Sequence, residues 1–161
     1  LNIWSVPTPT GSVLLPACGA AWAMQLLGKN TITIGTIGDA ACREGEFFEA
    51  LCFAAQLQLP IVFMVEDNRY GISTCTENMN PLRMNMIGDG INVVRVDARH
   101  PDRVYDAVAP AIDTARRGEG PTVLMCEVDR ICDHTSSDDQ RVYRSAEEIA
   151  EITSAPAILH I

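Results

Sequence analysis

The chain has 161 residues, 47% hydrophobic and 20% charged, which fits one domain, residues 1–161, whose core needs neither disulfides nor a structural metal. Twenty-one acidic residues against twelve basic ones give a formal charge of −9. Such a surface repels phosphate backbones and carries no polybasic patch, so it argues against nucleic-acid and membrane partners. The longest apolar run, 13–24, is too short for a membrane span and contains Pro16. The start lacks the basic, apolar and small-residue pattern of a signal peptide. Six cysteines form no C-x-x-C pair, so reduced thiols and a cytoplasmic setting are expected. Leu1 opens in mid-flow without an initiator Met, which reads as a fragment or a processed piece.

In chain order, residues 1–12 carry two prolines and read as extended. Residues 14–27 are small and apolar and predict a helix stopped by Gly28. That helix suits the centre of a core, or a contact with another subunit. A β-branched strand over 31–37 leads to a turn at 38–45 and a helix over 46–59 with Phe47, Leu51, Ala54 and Ala55 on its apolar face. Pro60 separates it from an apolar strand at 61–65, followed by polar loop over 67–81. A strand at 92–96, a helix at 101–116 opened by Pro101 and Asp102, and a strand at 121–128 come next. Residues 129–144 are charged and aperiodic, and Ser145 to Glu148 has capping-box spacing for a short last helix. Trp22, Phe47, Phe53 and the methionines read as core, and His100 and His160 as surface.

Apolar strands alternating with helices predict an α/β fold, a mostly parallel sheet covered by helices on both faces. Ligands bind such sheets at the carboxyl ends of the strands. That puts three loops on one rim: 38–45, 66–74 and 130–144. In the first, Gly38-Asp39-Ala40-Ala41 lets a ligand approach the backbone closely. An Asp beside a phosphate site suggests a bridging Mg²⁺; the alternative is that Asp39 caps the following helix. In the second, Glu66-Asp67-Asn68 offers oxygen donors to a hard cation, or forms an ordinary polar turn closed by Gly71. Asp39 and Asn68 end two strands joined by one helix, which makes them neighbours.

The segment G-D-A-A-C-R-E-G-E-F-F-E-A-L-C-F-A-A, about thirty residues from its Asp to an N-R-Y-G-I-S-T ending, resembles the thiamin-diphosphate motif. In detail it is similar to the alpha subunit of 2-oxoacid dehydrogenases, the decarboxylating component. The resemblance implies the thiamin-diphosphate-binding fold, with thiamin diphosphate and Mg²⁺ as cofactors. It implies Asp39, the Asn68 side chain and the Tyr70 main-chain oxygen as metal ligands, and Gly38, Ala40 and Ala41 presenting backbone to the diphosphate. Ala40 stands where the family usually has Gly; its methyl fits at negative φ and costs about 1 kcal/mol or more at positive φ.

The third loop taken alone reads as a salt-bridged surface segment. R-I-C-D-H-T-S-S-D-D-Q-R-V-Y-R is similar to the corresponding stretch of branched-chain members. That implies Arg130 and His134 facing the cofactor, His134 as the catalytic residue, and 129–144 ordering over the site. Thr135 replaces the usual Ser, so regulatory phosphorylation is not carried over. T-P-T-G-S is similar to a cofactor-touching segment, which implies contacts from Thr8 and Thr10.

The family also implies partners: a beta subunit bearing the pyrimidine-binding domain and its activating glutamate, and a lipoyl-bearing acyltransferase, in a hetero-oligomer. Glu46, Glu49, Glu147 and Glu148 sit in helix patterns and read as exposed or interface charges rather than that glutamate. The implied reaction is oxidative decarboxylation of a 2-oxoacid, with branched-chain substrates favoured over pyruvate or acetoin. Two other classes remain open at this point: a non-catalytic module that binds cofactor or partner only, and a different metal-diphosphate enzyme.

Overall fold

A computed structural model describes residues 2–4, 7–88 and 90–154. Its elements in chain order are α1 (Leu14–Leu26), β1 (Thr33–Gly38), α2 (Gly45–Leu57), β2 (Ile61–Asp67), β3 (Tyr70–Gly71), β4 (Thr74–Cys75), β5 (Asn92–Asp97), α3 (Pro101–Arg116), β6 (Thr122–Glu127) and α4 (Ala146–Ser154). Single 3₁₀ turns lie at Ala41–Arg43 and Gln140–Val142.

Four strands form one parallel sheet in the order β1-β2-β6-β5. The units β1-α2-β2 and β5-α3-β6 cross the sheet in opposite directions. With right-handed crossovers, their helices fall on opposite faces. On one face Leu14, Cys18, Phe47, Ala50 and Ala54 from α1 and α2 pack on Ile61, Phe63, Val65 and Met125. On the other, Ala111 and Ala115 of α3 pack on Val62, Leu124 and Val96. β2 and β6 therefore bury both faces, which is why they read as unbroken apolar runs. This is the expected mostly parallel sheet with helices on both faces.

Several expectations are adjusted. β2 extends through Glu66 and Asp67, because Asp67 stays in register with Glu127. The stretch read as loop over 67–81 contains the β3–β4 hairpin, two residues per strand and too short for alternation to register. Phe47 and Met125 are core, but Trp22, Met79, Met84 and Met86 are exposed, and Phe53 is half-buried against the Trp22 ring at 5.9 Å. α1 is core on the side of Leu14, Cys18 and Ala21, while Trp22 and Leu26 face outward. His100 is exposed, and His160 lies outside the described residues. Among the described residues the cysteines are free, and no helix is long and apolar enough to cross a membrane.

Candidate functional site

The sheet register sets the carboxyl ends of three strands side by side. Gly38 is opposite Glu66, Glu66 opposite Cys126, and Asp67 opposite Glu127. The loops leaving β1, β2 and β6 thus start from one rim. The strand order reverses between β2 and β6, the topological switch where open α/β sheets bind ligands.

At the end of β1 the Asp39 N–H donates to the Glu66 carbonyl at 3.2 Å, which holds Asp39 beside β2. The Asp39 side chain is 1% exposed and accepts a hydrogen bond from the Thr76 hydroxyl. Among the described residues it has no ion-pair partner. Burial raises its pKa, the Thr76 hydrogen bond opposes that rise, and the nearby Asp67 charge adds to it. Asp39 caps neither following helix: Ala40 and Glu44 occupy those cap positions, without side-chain cap bonds. Ala40 has φ −65° and ψ −37°, so its methyl sits without strain. That methyl packs closely on Gly71, where an added Cβ would come within 2.6 Å of it. Beneath this turn the buried Cys42 thiol donates to the Gly38 carbonyl at 3.4 Å, and burial pushes its pKa far up.

At the end of β2 two successive side chains fold back on the chain. Asp67 Oδ1 accepts the Arg69 N–H and Asn68 Oδ1 accepts the Tyr70 N–H, both at 3.0 Å. These local bonds hold Arg69 at φ +66°, a conformation its own side chain does not favour. Asp67 is buried and paired with Arg83 Nε at 2.8 Å. The Thr76 N–H donates to the Arg69 carbonyl at 2.8 Å. That bond makes Tyr70 and Cys75 a non-hydrogen-bonded pair of the hairpin. The Tyr70 carbonyl is therefore directed away from the partner strand. Asn68 Oδ1 uses one lone pair on Tyr70 and keeps another.

Asp39, Asn68 and Tyr70 thus offer a carboxylate, an amide oxygen and a main-chain carbonyl from adjoining strand ends. All three are hard oxygen donors of the kind Mg²⁺ takes. Among the described residues there is no cluster of three His, Cys, Asp or Glu side chains that could hold a metal ion.

The loop after β6 is held by its own side chains. Arg130 Nη1 donates to the Ile72 carbonyl at 2.9 Å and Nη2 to the Tyr143 hydroxyl at 2.6 Å. Its Nε is buried and without a partner among the described residues. The Tyr143 hydroxyl donates to Asp138 Oδ2 at 2.6 Å, which also accepts the His134 N–H at 2.9 Å. His134 is exposed, and its imidazole makes no hydrogen bond among the described residues. Arg144, 5% exposed, donates to the Arg130 carbonyl, Gln140 Oε1 and Glu148 Oε1 at 2.8, 2.7 and 3.0 Å. Thr8, Thr10, Gly38 and Ala41 line one open cleft of about 250 Å³, with Thr36 and Glu66 on its wall.

Sequence reasoning missed three residues. Thr76 lies just past the recognised motif, and Arg83 sits in a stretch with no periodicity. Glu148 was expected as an exposed or interface charge. It is half-buried and accepts from both Arg144 and the Tyr70 hydroxyl.

The family model for the dehydrogenase E1 component matches residues 3–161. This chain belongs to that family. The E1 chain is 38% identical over 144 residues to the alpha subunit of 3-methyl-2-oxobutanoate dehydrogenase of Mycobacterium tuberculosis, which covers 88% of this chain and 39% of that protein. It is 35% identical over 158 residues to the 2-oxoisovalerate dehydrogenase alpha subunit of Bacillus subtilis, covering 94% and 47%. It is 37% identical over 136 residues to the pyruvate dehydrogenase E1 alpha subunit of Acholeplasma laidlawii, covering 82% and 39%. The E1 chain thus spans 39–47% of the length of these relatives. Among solved structures, one from Mycobacterium smegmatis, provisionally assigned as a thiamin diphosphate-dependent enzyme, aligns with TM-score 0.53 and 24% identity over 76% of this chain and 22% of that one. That likeness establishes the fold alone.

Proposed function

We propose that this E1 chain is the diphosphate-holding region of the alpha subunit of a 2-oxoacid dehydrogenase that uses thiamin diphosphate and Mg²⁺. The observation that carries the reading is Asp39, a buried carboxylate with no protein cation among the described residues, beside a β2 turn whose Asn68 oxygen and Tyr70 carbonyl have free lone pairs. A dication satisfies all three groups at once.

When bound, thiamin diphosphate supplies the nucleophile and the electron sink for decarboxylation. The chain's own residues do the rest of the work assigned to it. Asp39, Asn68 and the Tyr70 carbonyl anchor Mg²⁺. Gly38, Ala40 and Ala41 turn main chain toward the diphosphate. Thr8 and Thr10, on the same cleft as Gly38 and Ala41, touch the cofactor's middle. Arg130, whose Nε has no partner among the described residues, is the cationic contact of this loop to the cofactor. His134, whose imidazole makes no hydrogen bond among the described residues, would donate a proton to the substrate's keto oxygen as charge develops there. Residues 129–144 cover the cofactor and exclude water. The whole chain acts as one diphosphate-binding domain, in the cytoplasm.

A beta subunit completes the site with its pyrimidine-binding domain, and the acyl group passes to a lipoyl-bearing acyltransferase. The H-T-S-S-D-D stretch favours branched-chain 2-oxoacids, although pyruvate dehydrogenase subunits match at similar identity.

The test is calorimetric titration with thiamin diphosphate, with and without Mg²⁺, in the protein purified with its subunits. Magnesium-dependent binding is expected, lost by about 100-fold or more in Asp39→Asn, since even outer-shell changes cost about 10–100-fold in metal affinity. Equal binding by the variant overturns the assignment.

A further inference from the structure

We infer that the Tyr70 side chain is a positioning residue that couples the cation-holding turn after β2 to the 129–144 segment. The inference rests on the proposed role of the Tyr70 carbonyl as a metal ligand and adds a role for the ring.

The main chain of Tyr70 is fixed from three directions. Asn68 Oδ1 takes its N–H, Arg69 beside it is held at positive φ, and the hairpin pairs it with Cys75. Its ring lies elsewhere, among the groups that tie down the loop after β6. The Arg130 guanidinium carbon is 5.4 Å from the ring centroid and that of Arg144 is 5.0 Å. The Tyr143 ring is 5.9 Å away, tilted by 44°. The Tyr70 hydroxyl donates to Glu148 Oε2 at 3.1 Å, which extends the contact to α4.

Arg130 and Arg144 stand at the two ends of the segment and are bonded to each other through the Arg130 carbonyl at 2.8 Å. Both close over one aromatic ring. Guanidinium groups over an aromatic face are attracted by its quadrupole, more strongly where water is excluded. Arg144 is almost fully buried there, so the ring replaces solvent that its charge would otherwise keep. Arg130 also donates to the Ile72 carbonyl at the hairpin tip, where Ile72 is held at φ +57°. The hairpin and the segment therefore share a single clamp, and the ring at its centre belongs to the residue whose carbonyl is the proposed metal ligand. A ligand that fixes this turn fixes the clamp, and an ordered clamp presents the carbonyl. Linkage makes the effect reciprocal.

The experiment uses the full natural chain assembled with its subunits. Two readouts are taken separately: calorimetric affinity for thiamin diphosphate with Mg²⁺, and hydrogen exchange of the amides of 131–143 with and without them. Tyr70→Leu removes the ring and keeps the carbonyl; Tyr70→Phe keeps the ring and removes the hydroxyl. In the wild type, cofactor and Mg²⁺ are expected to slow exchange in the segment by about tenfold, an ordinary size for coupling between sites. Tyr70→Phe retains most of that protection. Tyr70→Leu still binds in a Mg²⁺-dependent way but no longer transmits protection. Wild-type protection in Tyr70→Leu overturns the inference and leaves the cofactor reading standing. Absence of Mg²⁺-dependent binding in the wild type overturns the cofactor reading, and the coupling with it.

Discussion

The ends of β1 and β2 each bury a carboxylate, and they handle its charge differently. Asp39 and Asp67 are both 1% exposed. Asp67 has Arg83 Nε at 2.8 Å on one oxygen and the Arg69 N–H at 3.0 Å on the other, and Arg83 reaches on to Glu127 at 3.2 Å. Among the described residues Asp39 has only the Thr76 hydroxyl and backbone groups, and its carboxyl is harder to ionise than usual. An unpaired buried ion costs several kcal/mol even after relaxation. Two equivalent places a strand apart, one neutralised from within and one not, are difficult to explain as a packing accident. The contrast is the physical basis of the proposed external cation at Asp39.

The sharpest way to break that contrast is to remove the internal cation. Arg83→Ala leaves Asp67 buried without a counter-charge and is expected to destabilise the protein by about 3–5 kcal/mol. Denaturant unfolding of variant and wild type measures it, and the pair Arg83→Met with Asp67→Asn should recover much of the loss. A cost well below 1 kcal/mol for Arg83→Ala would mean that Asp67 finds water or an ion of its own, and the two strand ends would then be alike.

The two turns also touch, and the contact can be tested by size. Ala40 from the first packs on Gly71 from the second, with no room for a Cβ between them. Gly71→Ala is expected to cost about 1–3 kcal/mol by overpacking. Ala40→Gly should restore most of it, because the two changes occupy the same space and are therefore non-additive. Thermal melts of the two single variants and the double variant read this directly. Strict additivity would show that the turns are set independently, each by its own strand.

The parallel sheet was legible because β2 and β6 are buried on both faces and carry unbroken apolar runs, while α2 and α3 carry periodic ones. The rim followed from strand ends alone, and the motif drew attention to Asp39, Asn68 and Tyr70. What stayed hidden is what long-range geometry makes. Thr76 reaches Asp39 only because the two-residue strands of the hairpin fold back, and Arg83 meets Asp67 across 16 positions of irregular chain. Trp22 and the exposed methionines were misjudged because apolar neighbours in sequence do not fix which side of a helix or loop faces the core. The cage around Tyr70 draws on 130, 143, 144 and 148, residues that no local pattern connects to the β2 turn.

A third carboxylate on the rim sharpens the comparison from the other side. Asp138 is partly exposed, and the Tyr143 hydroxyl and then the His134 N–H hold its carboxyl below the usual range. A carboxyl depressed in the folded state contributes its full stabilisation above the unfolded value, about 4, and loses it as pH falls through the folded one. The contribution of Asp138 to the 129–144 segment should therefore be lost in acid and be constant from about pH 5 upward. The effect is small, since such a group is screened by solvent. The carbon shift of the Asp138 carboxyl group reports it, with a midpoint below the ordinary carboxylate value of about 4. A titration at or above the ordinary carboxylate value would show the Tyr143 bond to be weak in solution. The expected result sets Asp138 opposite Asp39, the same side chain on the same rim, with donors pulling proton affinity down in one and burial pushing it up in the other.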